Sequence, residues 1–171
     1  RGAAGARIST DNFVHIAAER GGTVSFEHTD ITNEGADGSN PAGKIVADGR
    51  HSLVDIQHSS VGNDGVISAK EGGTVEFRHD KVKNERDGLI IAKGEHSDVS
   101  FDRSRVENSG EITAEQRGHV TFDHSRIVNK RHGEIEADGR GSLGKFETDY
   151  VDNFGRVTAA WGGSILLDHS W

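Results

Sequence analysis

Short alternations of apolar and polar residues recur along the whole chain, and no stretch carries the three-and-four spacing of an amphipathic helix. The clearest unit is Asn63 to Lys83, N-D-G-V-I-S-A-K-E-G-G-T-V-E-F-R-H-D-K-V-K. In it an aliphatic residue and an alanine two apart are followed, past a glycine-bearing corner, by V-x-F-x-H and a further aliphatic residue. The same types return in register. Ile16, Ile45, Ile67, Ile90, Ile112, Ile135 and Val157 each precede an alanine by two: Ala18, Ala47, Ala69, Ala92, Ala114, Ala137 and Ala159. Val24, Val54, Val75, Val99, Val120, Gly144 and Ile165 precede Phe26, Ile56, Phe77, Phe101, Phe122, Phe146 and Leu167 in the same way. Ile31, Val61, Val82, Val106, Ile127 and Val151 stand two residues before Asn33, Asn63, Asn84, Asn108, Asn129 and Asn153, and Asn12 begins that asparagine series.

Residues two apart share one face of an extended strand. Each unit therefore predicts three short strands separated by polar or glycine corners, with no room for a helix. The spacing predicts an all-β fold, a right-handed parallel β-helix (β-solenoid) of about seven three-strand rungs, each strand pairing with its equivalent one turn on. The Val-position spacings are 30, then 21, 24, 21, 24 and 21 residues, so rungs of 21 and 24 residues alternate. Variable corner lengths and the asparagine column favour the right-handed form. The first long rung carries an insertion at 34–43 that holds the single proline, Pro41, and reads as a loop. Residues 1–11 match the pattern poorly and read as an N-terminal cap or frayed segment; 12–171 reads as one solenoid domain.

Composition narrows the function. Only 32% of the 171 residues are hydrophobic, and it is their periodic placement that argues for folding. A net charge of −8 disfavours a nucleic-acid partner. No apolar run is long enough to span a membrane, and the absence of cysteine removes disulfides and thiolate metal sites. The opening R-G-A-A-G-A-R has neither an initiator Met nor a hydrophobic signal region, which suggests a segment of a longer chain. No cofactor is implied.

Four columns could carry chemistry. Asn12, Asn33, Asn63, Asn84, Asn108, Asn129 and Asn153 read as a structural ladder, each amide donating to one neighbouring rung and accepting from the other. His28, His58 and His79, continued by His124 and His169, share the parity of Val and Phe and are expected inward or at a corner edge. Stacked imidazoles there could hold a metal, and acid should then weaken the rod. Beside them Glu27, Gln57, Arg78, Asp102, Asp123, Glu147 and Asp168 are expected to face outward, as a solvated acidic row. The carboxylate spacing of about 5 Å is also that of a retaining glycosidase. Lys81, Arg105, Arg126, Tyr150 and Trp171 form an edge that could bind a sugar or anionic polymer, although Arg105 and Arg126 could equally pair with Asp102 and Asp123. Trp161 is a further aromatic beside a Gly-Gly corner, with no structural requirement evident. Calcium nonapeptides, phosphate loops and nucleophile elbows are absent.

The pattern N-x-G-x-I-x-A-x-x-G-G-x-V-x-F-x-H-S-x-V, in Asn63–Val82 and Asn108–Ile127, resembles the tandem β-solenoid segments of very large secreted or surface proteins of Proteobacteria, both adhesin and haemagglutinin-like filaments and autotransporter passengers. The resemblance covers 12–171 and carries no functional residue with it. It implies a structural or adhesive rod segment, extracellular or on the cell surface, with a polysaccharide or other cell-surface ligand as candidate partner. Open strand edges at the two ends of such a stack would also favour end-to-end self-association. The competing expectation is a carbohydrate-active enzyme, a polysaccharide lyase or hydrolase on the same fold.

Overall fold

The structure, a computed structural model, describes residues 7–8, 15–36 and 42–171. Asn12 and residues 37–41 of the 34–43 insertion lie outside the described residues. Among the described residues every regular element is a strand, and the strands form three parallel sheets of seven. The first, the Asn sheet, contains Arg7–Ile8, Asp30–Asn33, Ser60–Asn63, Lys81–Asn84, Arg105–Asn108, Arg126–Asn129 and Tyr150–Asn153. The Ala sheet contains His15–Glu19, Lys44–Asp48, Val66–Lys70, Leu89–Lys93, Glu111–Glu115, Glu134–Asp138 and Arg156–Ala160. The Phe sheet contains Thr23–Glu27, Leu53–Gln57, Thr74–Arg78, Asp98–Asp102, His119–Asp123, Leu143–Glu147 and Ser164–Asp168. Each turn of chain crosses all three, and this is the β-solenoid that the spacing predicts.

Register follows residue type. Asn84 pairs with Asn63 and Asn108, Ala92 with Ala69 and Ala114, and Phe101 with Phe77 and Phe122. Residues 1–11 contribute one short pairing, Arg7 with Asp30 and Ile8 with Ile31. Stacking places like side chains on like, so the interior fills in columns. The rings of Phe77, Phe101, Phe122 and Phe146 lie 4.8, 4.9 and 4.8 Å apart and nearly parallel, all but fully buried. The Ala sheet departs from simple alternation: Val46, Ser68, Ile91 and Thr113, between the inward positions, are also buried.

The long rungs are longer at two corners, and at one of them the added residue brings a hydrogen bond. At the corner between the Ala and Phe sheets, the main-chain amides of Gly21, Gly72 and Arg117 in short rungs donate to Ser52, Ser97 and Ser142 in the following long rungs, at 3.0, 3.0 and 3.1 Å. Each of these serines donates in turn to the carbonyl of Asp48, Lys93 or Asp138 four residues earlier. The longer corner thus satisfies a donor that the shorter one leaves exposed, and the repeating unit is the pair. Close approach fixes some glycines: a Cβ at Gly118 would collide with the Ala92 carbonyl oxygen.

Candidate functional site

The asparagines are placed as a ladder, at the corner between the Asn and Ala sheets. Asn33, Asn63, Asn84, Asn108 and Asn129 each donate Nδ2 to the Oδ1 of the next asparagine at 2.6–2.9 Å, ending on Asn153. Those five side chains are 0–2% exposed, so the column holds the corner and offers nothing to a ligand.

The histidine column is not inward. His28, His58, His79, Arg103, His124, Thr148 and His169 all have positive φ, between 46 and 59°. A left-handed residue breaks the period of two, turning its own side chain out and the following one in. His28, His124 and His169 are 64, 53 and 81% exposed. No imidazole of this column is buried. The His28, His58 and His79 rings do stack, with centroids 5.2 and 5.0 Å apart and planes within 7°. Parallel rings at that spacing do not converge on one ion, since two nitrogens bound to zinc at about 2 Å lie no more than about 4 Å apart. No group of three or more His, Cys, Asp or Glu among the described residues is placed to hold a metal.

What the left-handed corner turns inward is a second ladder. Thr29, Ser59, Asp80, Ser104, Ser125 and Asp149 are 0–6% exposed, and Ser170 follows them on the last rung. The amide of each donates to the side-chain oxygen of the next: Thr29 to Ser59, Ser59 to Asp80, Asp80 to Ser104, Ser104 to Ser125, Ser125 to Asp149, and Asp149 to Ser170, at 2.6–3.1 Å. The signal was present in the sequence, as a small oxygen-bearing residue immediately after every His-column position. Burial pushes Asp80 up to about 7 and Asp149 up to about 6, against the pull of the amides they accept.

The cation and aromatic edge is brought together. Lys81, Arg105, Arg126 and Tyr150 pair in register as the first residues of successive strands of the Asn sheet, all exposed. The Arg126 guanidinium lies 5.0 Å over the Tyr150 ring, and Trp171 is 72% exposed after the last strand of the Phe sheet. The arginines do not reach Asp102 and Asp123. Arg105 pairs with Glu107 at 3.1 Å and Arg126 with Asp152 at 3.6 Å, because those carboxylates project from the same face of the same sheet. Lys130 also reaches Glu107, at 2.9 Å, and these two cations hold the Glu107 carboxyl below its ordinary range. Asp102 and Asp123 turn to their own chain neighbours, Arg103 and His124. Lys81 has no ion-pair partner among the described residues.

Near the insertion, Gly62 interrupts an outward column of the Asn sheet. A Cβ there would meet nothing within 4 Å, and a cavity of about 410 Å³ opens among Thr32, Glu34, Gly62, Asp64, Glu85 and Arg86. Trp161 is 87% exposed.

No protein-family model and no curated protein matches the chain. Among solved structures it is similar to a hyper-glycosylated TibA fragment whose glycosylation was catalysed by TibC. The identity is 16% and the TM-score 0.41, over 93% of this chain and 62% of that one. This chain spans less than two thirds of that structure's length. No helix is long and apolar enough to cross a membrane among the described residues.

Proposed function

We propose that the chain is a rod segment of a large extracellular or surface protein, and that its exposed edge binds an anionic surface polysaccharide. The observation that supports this reading is the register of Lys81, Arg105, Arg126 and Tyr150, which repeats one polymer-facing side chain at each turn of the rod. Turns are about 4.8 Å apart, so a chain of acidic sugars lying along the rod meets a cation at each of three steps. It then reaches two aromatic faces suited to stacking. Surface ion pairs such as Arg126 with Asp152 are weak in water and exchange readily for a carboxylate or sulfate on a ligand.

Glycan-array binding followed by titration against uronate-bearing and sulfated polysaccharides tests the proposal. Arg105→Ala, Arg126→Ala and Tyr150→Ala should each weaken binding, and added salt should weaken it further. Equal binding by all three variants would sink it, and turnover of the polysaccharide would replace it with the enzymatic reading. The last rung leaves Leu167 59% and Phe154 71% exposed at an open strand edge, and we propose that this edge supports end-to-end association of the segment. Sedimentation across a dilution series measures it.

A further inference from the structure

The corner ladder contains five hydroxyl residues and two aspartates, and the two kinds of rung differ in one hydrogen bond. At Ser59, Ser104 and Ser125 the hydroxyl accepts the amide of the preceding rung. It also donates to the carbonyl two residues earlier, of Gln57, Asp102 and Asp123, at 2.7, 3.0 and 3.1 Å. Those carbonyls also accept the main-chain amides of His28, His79 and Arg103 from the rung before. In the aspartate rungs the corresponding carbonyls, of Arg78 and Glu147, accept the equivalent amides of His58 and His124. Asp80 Oδ1 and Asp149 Oδ1 take the incoming Ser59 and Ser125 amides at 2.6 and 2.7 Å. The remaining oxygens, Asp80 Oδ2 and Asp149 Oδ2, are buried and meet no donor. An ionised carboxylate has only acceptor sites, and it would stand where every neighbouring rung places a donor.

We infer that Asp80 and Asp149 stand in the folded rod as neutral carboxylic acids, each Oδ2–H taking the place of the serine hydroxyl, so that the corner is tightest in mildly acidic surroundings and loosens as both ionise.

The proton comes from water and returns to it, with no other change in bonding. The surroundings support the neutral form. Asp80 is 4% exposed and Asp149 0%. The charged groups around Asp80 are Asp55, which opposes ionisation, and Arg78, which favours it. Arg78 is already engaged with Asp55 at 2.6 Å and Glu76 at 3.3 Å. Around Asp149 they are Asp123, opposing, and His124, favouring, and these two are bound to each other at 2.6 Å. In both rungs burial is the larger influence, and it holds the proton on to about pH 7 at Asp80 and about pH 6 at Asp149. An unfolded aspartate gives its proton up near pH 4. The folded state therefore binds more protons between these limits, and its stability rises as pH falls through them.

The experiment is a thermal-melting series of this chain from pH 8 to pH 5, with Asp80→Ser, Asp149→Ser and the double variant, beside a carbon-13 carboxyl NMR titration of the unaltered protein. The unaltered chain should melt several degrees higher at pH 5 than at pH 8. The double variant should melt above it at pH 8 and gain less on acidification. Some gain will persist in the variant from Asp98, Glu111 and Glu136, whose carboxyls burial also raises. Where a serine variant fails to fold, Asp80→Asn supplies an N–H at the same place and should behave as the neutral acid at every pH. Carboxyl resonances titrating near or above pH 6 that disappear in Asp80→Ser and in Asp149→Ser support the assignment, the Asp98 carboxyl remaining in both. Carboxyls that titrate near pH 4, or an acid gain as large in the double variant as in the unaltered chain, would overturn it.

Discussion

Asn63 donates its side-chain amide to the Asn84 amide oxygen at 2.8 Å, and both side chains are fully buried. Asn84 passes the pattern on, to Asn108 Oδ1 and to the carbonyls of Gly88 and Glu111, at 2.9–3.1 Å. Replacing Asn84 with Ala removes an acceptor from one rung and a donor from three groups. Each orphaned buried group costs about 1–3 kcal/mol, so Asn84→Ala should lower the urea midpoint steeply. Asn153, exposed on the last rung with Asn129 and Gly155 donating to it, should tolerate the same change with a measurably smaller loss. Equal losses would show that the ladder's internal position is immaterial.

His79 tests the left-handed corner. At φ 59° a β-branched residue is strained, whereas asparagine and glycine occupy this region readily. His79→Val should cost about 1–3 kcal/mol, and His79→Asn should stay within about 0.5 kcal/mol of the unaltered chain. Chemical denaturation of the pair reads the difference. If both substitutions were neutral, the corner would not be holding a left-handed residue.

The columns of Ile, Ala, Val, Phe and Asn were legible in the sequence because a solenoid repeats its interior by residue type, and three pairs of interior positions per rung obey the period of two. The His column was misread for a backbone reason. The period holds only while the strand continues, and a single positive-φ residue such as His58 reverses facing for itself and for Ser59. The acid sensitivity expected from inward histidines loses its basis with that assignment, and the raised carboxyls of the buried Asp80 and Asp149 predict the opposite sign. The exposed cation and aromatic edge was legible as a column, since Lys81, Arg105, Arg126 and Tyr150 do align. Its ion pairing was not, because Arg126 reaches across a rung to Asp152, a choice set by side-chain direction and not by chain spacing.

Asp98 provides a pH test outside the corner ladder. It begins a strand of the Phe sheet, half-buried, and burial with Glu76 nearby raises its carboxyl to about 6. The folded value lies above the unfolded one, so ionised Asp98 destabilises the rod. Its favourable contribution is complete below about pH 4 and is lost as pH rises through about 6. Asp98→Asn should raise the melting temperature at pH 7.5 and leave it little changed at pH 4. A fall at pH 7.5 would mean that the carboxylate has a stabilising partner in solution.

Glu107 connects stability to binding. Its carboxylate engages Lys130 at 2.9 Å and Arg105 at 3.1 Å on the outer face of the Asn sheet. Arg105 is 55% exposed and Lys130 41%, so water screens both pairs and the stability at stake is below about 1 kcal/mol. In the proposed binding mode the same carboxylate would oppose an acidic polymer, by occupying Arg105 and by repelling the ligand directly. Glu107→Gln frees two cations and removes that repulsion while keeping the side chain's size. It should tighten binding of an anionic polysaccharide several-fold at low salt, with the gain shrinking as salt is added. Arg105→Ala on the Glu107→Gln background should abolish most of the gain. A Glu107→Gln variant that binds no better than the unaltered chain would place any polymer site away from this edge.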